Sequence, residues 1–374
     1  MCWNRKQRQK IYFLTVLAST SCVIITFSSS LSSSHPTPTM DHFPIEIWSQ
    51  IFTLACTDNG FTGRSLSLTS RYIHELSKSV KLQSLSVTKP QQIRGLARLL
   101  ADTPPKYRRV RYLFIGDNEW DREEFQWEEG SAATMDVWNS RTEECRRYET
   151  PILDAYLRII RTVAPTLTTL LVHFQSYTTC PSFPTSIPFP SLIELTLYGP
   201  QIEPPTPITG ARVISSPSLS DHPPPFPSLR RLYLAHTYYD PAMYLRRITS
   251  VAPSLTHLSL PYQFLRGLRI RPQSHTHYPD NDSSSNSSHV IVDALPLTMK
   301  MVLVDLHCNR ILSTNAVGHM RRMSDMENIA AIAKEDERLY LLKERPSGFK
   351  DAERYWWDRM EGSDGVWTVP QPDP

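Results

Sequence analysis

Pro188-Phe189-Pro190-Ser191-Leu192-Ile193-Glu194-Leu195-Thr196-Leu197 returns 37 residues later as Pro225-Phe226-Pro227-Ser228-Leu229-Arg230-Arg231-Leu232-Tyr233-Leu234. A second pair aligns without a gap: Tyr156-Leu157-Arg158 with Val163-Ala164-Pro165-Thr166-Leu167-Thr168-Thr169-Leu170, and Tyr244-Leu245-Arg246 with Val251-Ala252-Pro253-Ser254-Leu255-Thr256-His257-Leu258. Both share the core L-x-x-L-x-L. Looser copies stand at Leu82-x-x-Leu85-x-Val87, Val110-x-x-Leu113-x-Ile115 and Leu167-x-x-Leu170-x-Val172. Starts at 82, 110, 167, 192, 229 and 255 lie 28, 57, 25, 37 and 26 residues apart. Alternate residues of a strand point to one side, so each copy offers a short apolar ridge. Ridges stacked side by side share a core that no single repeat could build.

The return segments carry their own punctuation. Thr150-Pro151 and Asp240-Pro241 read as a helix cap followed by a first-turn proline, and the helices they open are expected to stop before Pro165 and Pro253. The stretch 88–102, with Pro90 near its start and Pro104-Pro105 after it, repeats the grammar. Proline is in excess, 31 in 374 residues against 12 glycines, and 13 of the 31 fall between 181 and 227. The excess is repeat punctuation plus one Pro-rich connection, so collagen-like and glycine-linker classes are excluded. The repeat period and the L-x-x-L-x-L core resemble leucine-rich repeats. They imply an irregular β-α solenoid over 80–345, with other β-α stacks remaining open as architectures.

Three insertions interrupt the array. Segment 117–150 holds eleven acids against four arginines, with Trp120, Trp127 and Trp138. It reads either as a solvated excursion packing its tryptophans on a neighbouring repeat or as an acidic lip for a basic partner. Segment 201–224 is Pro/Ser-rich, and 273–289 is of low complexity, with the sequons Asn281-Asp282-Ser283 and Asn286-Ser287-Ser288, which matter only in a secreted chain. Beyond them the spacing predicts a strand over 295–306, a helix over 326–335 opened by the Ser324-x-x-Glu327 capping box, and a closing strand over 338–343. A terminal helix over 351–360, carrying Tyr355, Trp356 and Trp357, is expected to cap the open end of the core within a C-terminal region 346–374 whose tail, 368–374, frays.

The front of the chain is different in kind. Residues 1–39 have a basic head, an apolar run over 11–27 and a Ser/Thr tail, the layout of a secretory signal or signal anchor. The other reading takes Met40 as the working start. Forty Lys+Arg against 37 Asp+Glu give +3, and Arg5, Lys6, Arg8 and Lys10 supply four of the positive charges, so the remainder stands at −1. A near-neutral body without a basic stripe argues against nucleic-acid binding. Cysteines at 2, 22, 56, 145, 180 and 308 form neither a disulfide framework nor a zinc spacing and read as reduced thiols.

Between 40 and 79 a compact helical module is expected. Asp41 or His42 caps a helix, Pro44 suits its first turn, Glu46 complements its dipole, and Phe43, Ile47, Ile51 and Leu54 share a stripe widened by Trp48 and Phe52. After a break at Thr57-Asp58-Asn59-Gly60, a second short helix is predicted from Leu66 to about Ser77. Two helices of this size bury too little area to stand alone, so their apolar surface calls for a partner.

Phe43-Pro44-x-Glu46-Ile47-x-x-x-Ile51-Phe52 followed by Leu66-x-Leu68-Thr69-Ser70-Arg71-Tyr72 resembles the F-box of fungal F-box proteins. The resemblance implies docking on the Skp-type adaptor, and through it on a cullin, by Phe43, Pro44, Ile47, Ile51 and Phe52, with Leu66, Leu68 and Tyr72 completing the contact. It implies a substrate-receptor subunit of an SCF-type ubiquitin ligase, placed in the cytoplasm or nucleus, that itself catalyses nothing. A plain helical cap on the array is the alternative for the module. For the protein, the alternatives are a repeat scaffold outside any ligase, or a secreted or membrane-anchored repeat protein if the 11–27 segment is used.

Motifs for nucleotide loops, zinc proteases or nucleophile elbows are absent, and neither a cofactor nor a metal is expected. His173, His236 and His257 follow three different strands without a Cys or carboxylate in register. What the repeats offer is a face. Residues flanking the leucines point away from the ridge, which makes Tyr112, Phe114, Glu194, Arg231, Tyr233 and His257 the candidate target-binding residues.

Overall fold

The computed structural model describes residues 44–117, 135–174, 182–199, 201–202, 223–235, 248–261, 298–306, parts of 323–342, and 348–367. The leader, Phe43, His236, the 273–289 insertion with its sequons, and the tail 368–374 lie outside the described residues.

Each L-x-x-L-x-L copy forms a strand. Strands β1 (Ser84–Val87), β2 (Tyr112–Asp117), β3 (Thr169–Phe174), β5 (Glu194–Tyr198), β7 (Arg231–Leu234), β8 (His257–Pro261), β9 (Met301–Asp305) and β10 (Leu339–Leu342) build one eight-stranded sheet in that order, every pairing parallel. The short strands β4 (Ser182–Phe183) and β6 (Gln201–Ile202) pair with each other beside it. The fold is α/β, with neighbours in the sheet following the chain. The expected strands over 295–306 and 338–343 are β9 and β10.

The repeat sets the register. Leu85, Leu113, Leu170, Leu195, Leu232, Leu258, Val302 and Leu339 form one rung across all eight strands. A one-residue slip would turn every ridge to the other face, so the pattern excludes it. Hydroxyls reinforce it from repeat to repeat: Ser191 Oγ donates to the Pro165 carbonyl (3.2 Å), Ser228 Oγ to Pro190 (2.6 Å) and Ser254 Oγ to Pro227 (2.6 Å). The serine of each motif thus bonds to the proline of the motif before it.

Return segments cover the leucine side. Helix α4 (Pro90–Asp102) opens with Pro90 in its first turn and contributes Ile93, Leu96 and Leu100 to the main core. Helix α5 (Met135–Val163) contributes Ile152, Tyr156, Ile159, Ile160 and Val163. Here the expectation fails: Thr150-Pro151 does not open a helix, because Pro151 stands inside α5, and the second half of the 117–150 insertion is helical. Pro151 has no N–H for the Arg147 carbonyl, a defect of about 3 kcal/mol. The five buried apolar residues after it outweigh that defect, at about 1.5–3 kcal/mol each. Helical residues 248–251 stop before Pro253 as predicted, and residues within 326–334 are helical.

The position three before the first leucine shows how the core is filled. After a helix it is Ala164 or Ala252; after the non-helical residues 184–188 and 223–225 it is Phe189 and Phe226, and all four are buried. Phe183, Phe189 and Phe226 stack with ring centroids 5.3 to 5.8 Å apart. At this position the ring fills volume that alanine leaves to its neighbours in the other two repeats.

Candidate functional site

Two surfaces carry the residues singled out by the sequence. The first lies on three helices, α1 (Ile45–Ala55), α2 (Phe61–Thr69) and α3 (Arg71–Ser77), where two were expected. Residues 61–65, expected as loop, are helical, because Asp58 closes the turn. Its carboxylate accepts from Gly60 N (3.1 Å), Thr62 N (2.8 Å) and Thr62 Oγ1 (2.6 Å), and Gly60 takes the positive φ of 86° that the turn requires. Ser70, expected within a helix, is extended and caps α3 by accepting from Ile73 N at 3.1 Å.

Helix α1 carries one widened apolar stripe. At ~100° per residue it runs from Leu54 and Ile47 through Ile51 to Trp48, Phe52 and Cys56, an arc of roughly 200°, and only the end that holds Phe52 and Cys56 is buried. Phe52, Cys56, Ile73 and Val80 form a small buried core with Trp48, Leu66 and Leu76 against it, and the Trp48 and Phe52 rings lie 5.4 Å apart. Phe52, 3% exposed, and the half-buried Leu66 therefore serve the segment's own packing, a correction to their expected docking role. Pro44, Ile47, Ile51, Leu68 and Tyr72 are exposed as expected, joined by Ile45, Leu54 and Phe61. Burial pushes the Cys56 thiol up to about 11, helped by the Asp58 charge.

The second surface is the sheet face opposite the leucines. Tyr112, Thr169, Glu194, Arg231 and His257 share one rung, and Phe114, Leu171, Thr196, Tyr233 and Ser259 the next. The six candidate target-binding residues do lie on one face, but that face is not open. Helix α6 (Phe349–Met360) and the 3₁₀ turn Gly365–Trp367 lie on it, so the expectation that the terminal helix caps the end of the core is corrected. Phe114, Glu194 and Tyr233 are buried, and Tyr112, Arg231 and His257 are half-buried. The amphipathic spacing of Phe349, Ala352 and Trp356 announced a buried helix face, yet nothing local said which surface receives it.

The contact is aromatic inside and charged around. Phe349 stacks on Phe114 at 5.8 Å and meets His173 edge-on at 5.2 Å; Trp356 lies 5.9 Å from Phe114. Glu194 pairs with Arg359 (Nε to Oε2, 2.8 Å) and more loosely with Arg231 (3.8 Å), and Trp367 Nε1 donates to its Oε1 at 3.3 Å. Arg231 also reaches Asp364 at 3.0 Å. Burial pushes the Glu194 carboxyl above its ordinary range, partly offset by Arg359 and Arg231. Burial pulls the His257 imidazole below its ordinary value, with Arg231 and Lys300 adding to the shift and Asp364 opposing it. The same face ties the helices to the sheet: Trp356 Nε1 donates to Asn59 Oδ1, Ser84 Oγ to Met360 Sδ (3.5 Å), and Gln83 Nε2 to the Thr53 carbonyl (2.9 Å).

His173 and His257 stand on different rungs, His173 level with Tyr198 and His257 level with Arg231, so the register does not align them. Among the described residues no group of three or more His, Cys, Asp or Glu is placed to hold a metal ion, and no helix is long and apolar enough to cross a membrane. The apolar run 11–27 lies outside them. Comparison with protein-family models, with curated protein sequences and with solved structures finds no match to this chain.

Proposed function

We propose that this chain is a substrate-receptor subunit of a cullin-RING ubiquitin ligase, with residues 40–79 as an F-box-like module that docks on a Skp-type adaptor and the strand repeats as an irregular leucine-rich-repeat-like solenoid that holds a protein target. The observation that carries the reading is the part of the apolar stripe of α1 that stays exposed. Ile47, Ile51 and Leu54 face solvent while Phe52 already completes the inner core, so the outer side serves something other than folding. The motif residues Pro44, Leu68 and Tyr72 are exposed with them. In this reading the chain works in the cytoplasm or nucleus and performs no chemistry itself. It contributes proximity, which raises the effective concentration of target at the ligase.

The test is binding of a purified Skp-type adaptor to the full chain and to the Ile47→Glu/Ile51→Glu variant. Ile51 is 48% and Ile47 40% exposed. On side chains of roughly 180 Å² that is on the order of 160 Å² to cover, about 4 kcal/mol at ~25 cal/mol/Å². The variant is expected to bind about a thousandfold more weakly, at 1.4 kcal/mol per tenfold, with an unchanged circular dichroism melt. Equal binding by both chains, or none by the unaltered chain, ends the ligase reading.

A further inference from the structure

The two faces of the sheet are built differently. On the leucine side the rungs are aliphatic and the covering helices precede or separate the strands they cover. The opposite side mixes Phe114, Tyr198 and Tyr233 with Thr169, Glu194, Thr196, Arg231 and Ser259, and its cover is the last helix in the described chain. An aromatic centre with arginine-carboxylate pairs is the anatomy of a protein-protein interface more than of a folding core. Packing across it is also incomplete: a cavity of about 20 Å³, lined among others by Thr169, Glu194, Thr196 and Arg359, remains between cover and sheet.

We infer that residues 348–367 are an intramolecular ligand, a cover that opens from the sheet face, and that the partner taking its place is a tryptophan-bearing helix with an arginine for Glu194 and a carboxylate for Arg231. The inference rests on reading the repeats as a receptor. It explains why the candidate target-binding residues share one face and yet are covered: the target displaces the chain's own segment. Specificity follows from the charges. A helix offering only apolar residues would leave Glu194 buried with only the looser Arg231 contact at 3.8 Å, a penalty that selects against it.

Hydrogen exchange of the full chain, followed by mass spectrometry with no adaptor present, tests the opening. Amides of α6 are expected to exchange at least ~100-fold faster than those of β3 and β5 beneath them, since a cover that opens alone escapes the global barrier. Arg359→Ala should speed α6 a further ~10-fold, the scale of one lost charge-assisted bond, while β3 and β5 stay unchanged. A Trp356→Ala/Arg359→Ala chain, its own cover weakened, should take up a labelled peptide of residues 348–367. Equal exchange in α6 and the strands, acceleration of both together by Arg359→Ala, or no peptide uptake overturns the inference. Adaptor binding plays no part in these measurements, so failure of the docking reading and failure of the cover are separate results.

Discussion

Phe189 and Ala164 occupy the same place in their repeats, and exchanging their sizes should harm the protein in opposite ways. Phe189→Ala empties a site that is fully buried and touches two other rings, Phe183 at 5.3 Å and Phe226 at 5.4 Å. Removing a buried phenylalanine costs about 3–5 kcal/mol. Each lost ring pair adds ~0.5–1.5 kcal/mol beyond area, and none of the described residues 182–199 around it is helical. The expected loss lies in the upper half of the 3–5 kcal/mol range, ~4–5 kcal/mol. Ala164→Phe does the reverse: it forces a ring into the turn after α5, where Ile160, Val163 and Leu167 are already buried. Overpacking of that kind costs about 1–3 kcal/mol. Urea denaturation followed by far-ultraviolet circular dichroism, extrapolated linearly to water, reads both values. A loss under ~1 kcal/mol for Phe189→Ala, or a gain for Ala164→Phe, refutes the idea that each repeat fits its residue at this position to the space around it.

Gly63→Ala should lower the thermal midpoint clearly, although alanine ordinarily favours a helix interior by about 1 kcal/mol: its Cβ would sit 2.2 Å from the Lys81 carbonyl oxygen. An unchanged midpoint contradicts that packing. The His257 imidazole is held below the unfolded value of 6.5, chiefly by burial and then by Arg231. The unfolded chain therefore binds the proton first. Its contribution to stability is complete above 6.5 and is lost as pH falls below that value. Melts between about pH 7.5 and 5.5 should show a smaller acid loss in His257→Gln than in the unaltered chain, and equal losses would refute the assignment. The Cys56 thiol, raised to about 11, should resist iodoacetamide near neutral pH until the chain is unfolded. Peptide-resolved mass spectrometry checks this, and labelling of the native chain at a free-thiol rate contradicts it.

The sequence by itself determined the strand array and its register. A period-two ridge is a local property: an odd slip would turn Leu113, Leu170, Leu195 and Leu232 away from their shared core, whatever surrounds them. It also set the shared face of Tyr112, Glu194, Arg231 and His257, and the exposure of Ile47 and Ile51. Local chemistry misplaced the start of α5, because Thr150-Pro151 reads as a cap until the packing of Ile152, Tyr156 and Ile159 outweighs one missing hydrogen bond.

Only the tertiary structure decided which side of α1 is buried and where α6 goes. A stripe that wide has no local preference for which of its edges is buried, and the choice falls to Ile73 and Val80, which lie well beyond it in the chain. Helix α6 shows an amphipathic face but not its recipient. Its place on the candidate binding face follows from contacts with Phe114 and Glu194, between 165 and 242 residues away in the chain, whose sum no local pattern contains.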